Sequence, residues 1–148
     1  MDMDKIQQEI VEEFEIFDDW MDKYNHLIEL SKSLPVIDGR YKNPEYLIEG
    51  CQSRVWLHAD FQDGKVVYTA DSDAVITKGI IALLVRVMSG REPDEIIGND
   101  LWFIDRIGLK ENLSPTRSNG LIAMIKQMKL YALAYKAKNE KTGGNGQT

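Results

Sequence analysis

Asp63-Gly64 stands between two runs of alternating apolar and polar residues, and that pattern most constrains the fold. In the first run Val55, Leu57, Ala59 and Phe61 alternate with Arg54, Trp56, His58 and Asp60. A period of two places the first set on one face of a strand. Both central residues of a type I′ turn need positive φ, which glycine and aspartate tolerate best, so Asp63-Gly64 closes a hairpin. The return strand is expected over Lys65 to Ala70. A lone hairpin is marginally stable in water, so helices, with room for a third short strand, must cover one face.

Helical periodicity surrounds the hairpin on both sides. Ile6, Ile10, Phe14 and Phe17 mark an amphipathic first helix. A second, capped by Asp18 or Asp19, carries Trp20, Tyr24, Leu27 and Ile28 and stops at Pro35. Asn43-Pro44 starts a short helix expected to run through Glu49 and end at Gly50. Asp71-Ser72-Asp73 is expected to cap a long apolar helix from Ala74 to Met88, closed by Gly90. A short helix begins at Pro93, and another after Asn99 or Asp100 buries Leu101, Trp102, Ile104 and Ile107 before Gly108. Ser114-Pro115 opens the last helix, with Leu121, Ile122, Met124, Ile125 and Met128 toward the core. Helices, a hairpin and more helices make the class α+β: a small antiparallel sheet packed against several helices. Residues 1–139 are expected to form one domain, and 140–148 a disordered tail.

Composition excludes several functions. One cysteine forbids an internal disulfide and any Cys-x-x-Cys motif, and with two histidines it is a thin supply of soft metal ligands. The net charge of -6 comes from residues 1–22, where nine acids accompany Lys5 alone. The remainder is nearly balanced, with no basic field for nucleic acid. A solvated helix face explains the acidic segment more simply than a docking surface. Met1-Asp2-Met3-Asp4 does not open a signal peptide, and the apolar stretch Ala74–Met88 is shorter than a membrane span and contains Lys78 and Arg86. A soluble, cytoplasmic protein is expected.

Two residues invite a chemical reading. An isolated cysteine is usually a small buried hydrophobe, but Cys51 follows a glycine at a junction and lies on no apolar face. Arg117 falls in the first turn of the last helix, where the dipole disfavours cations by about 0.3–1 kcal/mol. A guanidinium and free N–H groups at one helix start suit an anion or thiolate; a surface arginine paired with an acid is the alternative. His58 is on the strand after Cys51, too far for proton transfer at a rise of about 3.3 Å per residue. His26 has no evident orienting partner, and Asp71 and Asp73 read as caps before acid/base groups.

Three segments together resemble the SufE family. They are Gly50-Cys51-Gln52-Ser53-Arg54-Val55-Trp56-Leu57, the stretch from Asp71-Ser72-Asp73-Ala74 through Thr77-Lys78-Gly79 to Leu84, and Leu113-Ser114-Pro115-Thr116-Arg117-Ser118-Asn119-Gly120-Leu121. Order and spacing match, with Thr116 standing where many members have serine. The resemblance implies a fold like that of IscU-type scaffolds, without the further cysteines a cluster needs. It implies that Cys51 accepts persulfide sulfur from a PLP-dependent cysteine desulfurase of the SufS/CsdA type, stimulates it, and passes sulfur to a SufBCD-type scaffold. The PLP belongs to the partner, so the chain is a transfer protein with no cofactor or metal of its own. Arg117, Gly50, Gln52, Ser53 and Asp73 are the expected supporting contacts to the thiolate or the partner.

Overall fold

The computed structural model describes residues 2–146, with side chains through residue 140. It contains α1 (Met3–Glu15), α2 (Trp20–Ser31), β1 (Val55–Gln62), β2 (Lys65–Ser72), α3 (Val75–Met88), α4 (Pro93–Gly98), α5 (Phe103–Arg106), α6 (Leu109–Asn112) and α7 (Pro115–Gly146). Single 3-10 turns occupy Gly39–Tyr41 and Pro44–Tyr46. The class is α+β, as the sequence implies.

β1 and β2 pair antiparallel from Val55↔Ser72 to Gln62↔Lys65. Asp63 (φ 53°) and Gly64 (φ 78°) both take positive φ at the turn, which fixes the register and so the buried face. That face consists of Val55, Leu57 and Ala59 opposite Val66, Tyr68 and Ala70, all buried in one core with α3. The Tyr68 hydroxyl, also buried, donates to the Met128 carbonyl of α7 at 2.6 Å. Instead of a third strand, single bridges extend both edges, Val36 beside Ala70 and Leu47 beside Trp56. On the free edge of β1 the Tyr131 and Tyr135 hydroxyls donate to the Leu57 and Ala59 carbonyls at 3.3 and 2.7 Å. Those phenols occupy acceptors that would otherwise template another strand. Across the other face, Tyr41 stacks on His58 with ring centroids 3.8 Å apart.

Asp2 and Asp19 cap α1 and α2, each accepting a backbone N–H at 2.9 Å. α1 buries Ile10 and Phe14, and Gln7 is buried with both amide groups used: it donates to the Asp100 carbonyl and accepts from Phe103 N–H. α3 packs on α2 so closely that a Cβ at Gly79 would lie 2.2 Å from the Leu27 carbonyl oxygen. Only glycine fits there. In α7, Leu121, Met124, Met128 and Ala132 face the core.

Several local expectations change. The helix expected from Asn43 to Glu49 is a 3-10 turn, and Leu47 is extended because it bridges Trp56. Asp71-Ser72-Asp73 does not cap α3 in the ordinary way: Ala74 is the N-cap and has no side-chain cap bond. Asp71 instead takes Lys42 at 2.9 Å and Lys78 at 3.2 Å. Gly108 ends α5 but also begins a further one-turn helix, α6, that periodicity alone is too short to reveal. Ile122 is 52% exposed rather than in the core. The expected tail, 140–148, falls on side chains from 141 onward, and on backbone at Gln147 and Thr148, that lie outside the described residues. Among the described residues no helix is long and apolar enough to cross a membrane.

Candidate functional site

The chain enters the site from Leu47 and Ile48, held to β1 by the Ile48 N–H donating to the Val55 carbonyl at 2.9 Å. Gly50 then turns it at φ 93°, a left-handed conformation that favours glycine. A Cβ there would also stand 3.2 Å from the Ala123 Cβ of α7. The loop therefore lies directly against the last helix. Residues 51–53 cross to Arg54, where the chain is fastened again: Arg54 N–H donates to the Asp73 carboxylate at 3.0 Å, and Asp73 N–H and the Ser72 hydroxyl donate to the Arg54 carbonyl at 3.2 and 2.8 Å. Thus Asp73 holds the loop's backbone at its far end and does not itself line the cleft.

Cys51 is half-buried and turned inward. Its thiol donates to the Gly120 carbonyl, with Sγ 3.6 Å from the oxygen. A Cβ at Gly120 would meet Sγ at 3.5 Å, so the sulfur rests against bare backbone of α7. Burial pushes the thiol pKa above its ordinary value. In this position the group is protected rather than activated.

The thiol borders a cleft of about 330 Å³ whose other walls include Gln52, Ser53, Thr77, Ser114 and Arg117. Ser114 caps α7 by accepting the Arg117 N–H on its hydroxyl at 3.3 Å. Arg117 is exposed and, among the described residues, has no ion pair, so the reading of a paired surface arginine does not hold. The structure thereby brings Cys51, Gln52, Ser53 and Arg117 to one cleft, with the turn at Gly50 beside it. His58 lies outside this cleft, stacked on Tyr41, and His26 contacts Glu13 at 3.3 Å. A larger cleft of about 860 Å³ opens on the other side of Gly50, between Tyr46, Glu49 and the exposed Ile122 and Leu130 of α7.

Sequence reasoning missed two contributors. Gly120 lies within the third family-like segment, but only the contact across helix and loop shows that the sulfur sits on it. Thr77 lies within the second, and reads from sequence as an ordinary helix residue.

Residues 8–132 match the family model described as SufE: Fe-S metabolism associated domain. The chain is 42% identical over 142 residues to SufE-like protein 1, chloroplastic/mitochondrial, of Arabidopsis thaliana, a match covering 95% of this chain and 38% of that protein. It is 39% identical over 126 residues to an uncharacterized SufE-like protein of Rhizobium etli, covering 82% and 85%. The chain thus corresponds to a minor part of the longer plant protein and to most of the bacterial one. A hypothetical protein from Thermus thermophilus, known from a solution structure, shares the fold with a TM-score of 0.72 at 21% identity, over 87% of this chain and 94% of that one. The chain belongs to the SufE family. Membership implies a sulfur-transfer role in iron–sulfur metabolism.

Proposed function

We propose that Cys51 is the sulfur acceptor of a carrier protein serving a PLP-dependent cysteine desulfurase of the SufS/CsdA type. The Cys51 thiolate attacks the outer sulfur of the desulfurase's cysteine persulfide. That sulfur–sulfur bond breaks, its electron pair leaves on the desulfurase cysteine as a thiolate, and a new persulfide forms on Cys51. No electrons are gained or lost overall. Removing the persulfide frees the desulfurase and stimulates it; the sulfur then passes to a SufBCD-type scaffold. The carrier needs no cofactor or metal of its own, and a single free thiol suits a reducing compartment, which favours the cytoplasm.

The observation that carries this reading is the lone cysteine at a cleft where an unpaired arginine and the start of α7 converge. Gly50 at positive φ provides a hinge for turning the side chain out to a partner. Attack needs a thiolate, so docking must lift Cys51 from the Gly120 carbonyl and its burial. The inward, high-pKa thiol favours a second reading, a non-covalent activator in which Cys51 only packs.

Intact-mass spectrometry after incubation with a desulfurase and L-cysteine, without reductant, separates them. A carrier gains about one sulfur atom, reversed by dithiothreitol and absent in Cys51→Ser. Faster desulfurase turnover without that gain, preserved in Cys51→Ser, would overturn the carrier reading in favour of the activator.

A further inference from the structure

Thr77 has a specific place in this site. It is 5% exposed, in the first turn of α3, and lines the same cleft as Cys51. A buried threonine in a helix ordinarily returns its hydroxyl to a carbonyl one turn back. Here, among the described residues, the Thr77 hydroxyl makes no hydrogen bond to protein, and its oxygen is not sealed from solvent. A hydroxyl on a buried residue that no protein group engages is free to donate to an acceptor entering the cleft.

The acceptor follows from the chemistry of the neighbouring sulfur. In the thiol form, Cys51 donates to the Gly120 carbonyl. A persulfide anion has no proton to donate, and a carbonyl oxygen repels it. Its outer sulfur must turn from Gly120 toward groups that can donate. Among the residues that line the cleft, the exposed Arg117 and the buried Thr77 carry donors. We infer that the Thr77 hydroxyl donates a hydrogen bond to the outer sulfur of the Cys51 persulfide and so seats the loaded carrier in its closed state. The inference rests on persulfide formation at Cys51, the function proposed above. It adds the group that holds the cargo inside the protein, and it makes retention, rather than acceptance, the step that Thr77 controls.

The test uses the full chain loaded with inorganic polysulfide, so that no desulfurase contact enters the measurement. Cys51-bound sulfur is then followed by intact mass as dithiothreitol removes it, releasing hydrosulfide and leaving the free thiol and a cyclic disulfide. Thr77→Val keeps the shape and removes the hydroxyl, whereas Thr77→Ser keeps the hydroxyl. The expected result is equal loading of all three proteins, with sulfur lost about tenfold faster from Thr77→Val, the scale of one hydrogen bond to a charged atom. The midpoint of the persulfide's alkylation with pH should also rise in Thr77→Val, because a donor favours the anion. Thr77→Ser should follow the wild type in both respects. Wild-type retention in Thr77→Val would overturn the inference, and so would fast loss from both variants, which would assign the effect to packing of the methyl group. A wild-type chain that takes no sulfur from any desulfurase, yet shows the Thr77→Val difference after polysulfide loading, would defeat the carrier function and leave this inference standing.

Discussion

Asp71 and Cys51 flank the same end of the hairpin, opposite the Asp63-Gly64 turn, and their surroundings treat negative charge in opposite ways. Burial by itself would raise the Asp71 carboxyl. Hydrogen bonds from Lys42, from Ser72 N–H and from Lys78, together with the Lys78 charge, hold it below the ordinary aspartate value. The carboxylate ties the loop after Pro35 to β2 and to the start of α3. Cys51, by contrast, meets a carbonyl, and burial pushes its pKa up with no cation to offset it. A permanent charge is matched by partners that never leave. Under the proposed function, the charge at Cys51 is transient, raised and then passed on beside a cleft that Arg117 also lines. One end of the hairpin is thus built to stay and the other to change.

The largest expected effect breaks the second half of this contrast: Cys51→Ser should abolish sulfur uptake by intact mass while leaving the fold unchanged. Asp71→Asn tests the first half and should cost about 2 kcal/mol in guanidinium unfolding. That is less than the roughly 3–5 kcal/mol of a fully buried pair, because the Lys42 and Lys78 side chains, 37% and 27% exposed, can turn to water. Because its pKa is depressed in the folded protein, Asp71 contributes stability above the unfolded value near about 3.9, lost as pH falls through the lower folded value. Unfolding followed from pH 7 downward should therefore be flatter for Asp71→Asn; equal slopes would dissolve the contrast. Next, Arg117→Ala should slow sulfur acceptance by about tenfold, the scale of one lost charge-assisted contact. An unchanged rate would remove Arg117 from the site. The smallest effect is in the resting protein: Cys51 alkylation should reach half its limiting rate above about pH 8.5, the ordinary thiol value. A midpoint below that would mean the inward position does not dominate in solution. With its folded pKa raised, Cys51 contributes stability that is full below the unfolded value and lost as pH climbs through the folded one.

Most of the fold was legible because its signals are local. The alternation around Asp63-Gly64, the caps at Asp19 and Ser114, and the apolar run of α3 each report a backbone preference within a few residues. Reading failed where a distant strand outcompeted a local preference. Leu47 reads as helical, but a backbone pairing with Trp56 made it extended. Asp71 reads as a cap, but two lysines, one of them 29 residues away, offered it more than one backbone N–H would. Of the site, Cys51, Gly50 and Arg117 were visible as a glycine-flanked thiol and a misplaced cation. Asp73, named as a contact to the thiolate or the partner, accepts the backbone N–H of Arg54.

By itself the sequence determined the hairpin, the helices that cover it, the family resemblance and the lone thiol, because pattern, turn chemistry and cysteine count are properties of the chain. Tertiary structure alone decided that this sulfur rests on Gly120, that Arg117 makes no ion pair among the described residues, and that Thr77 lines the same cleft. Those are relations between residues up to 69 positions apart. Charge and hydrogen bonding act through space, so their outcome is settled only when α3, α7 and the Cys51 loop are packed together.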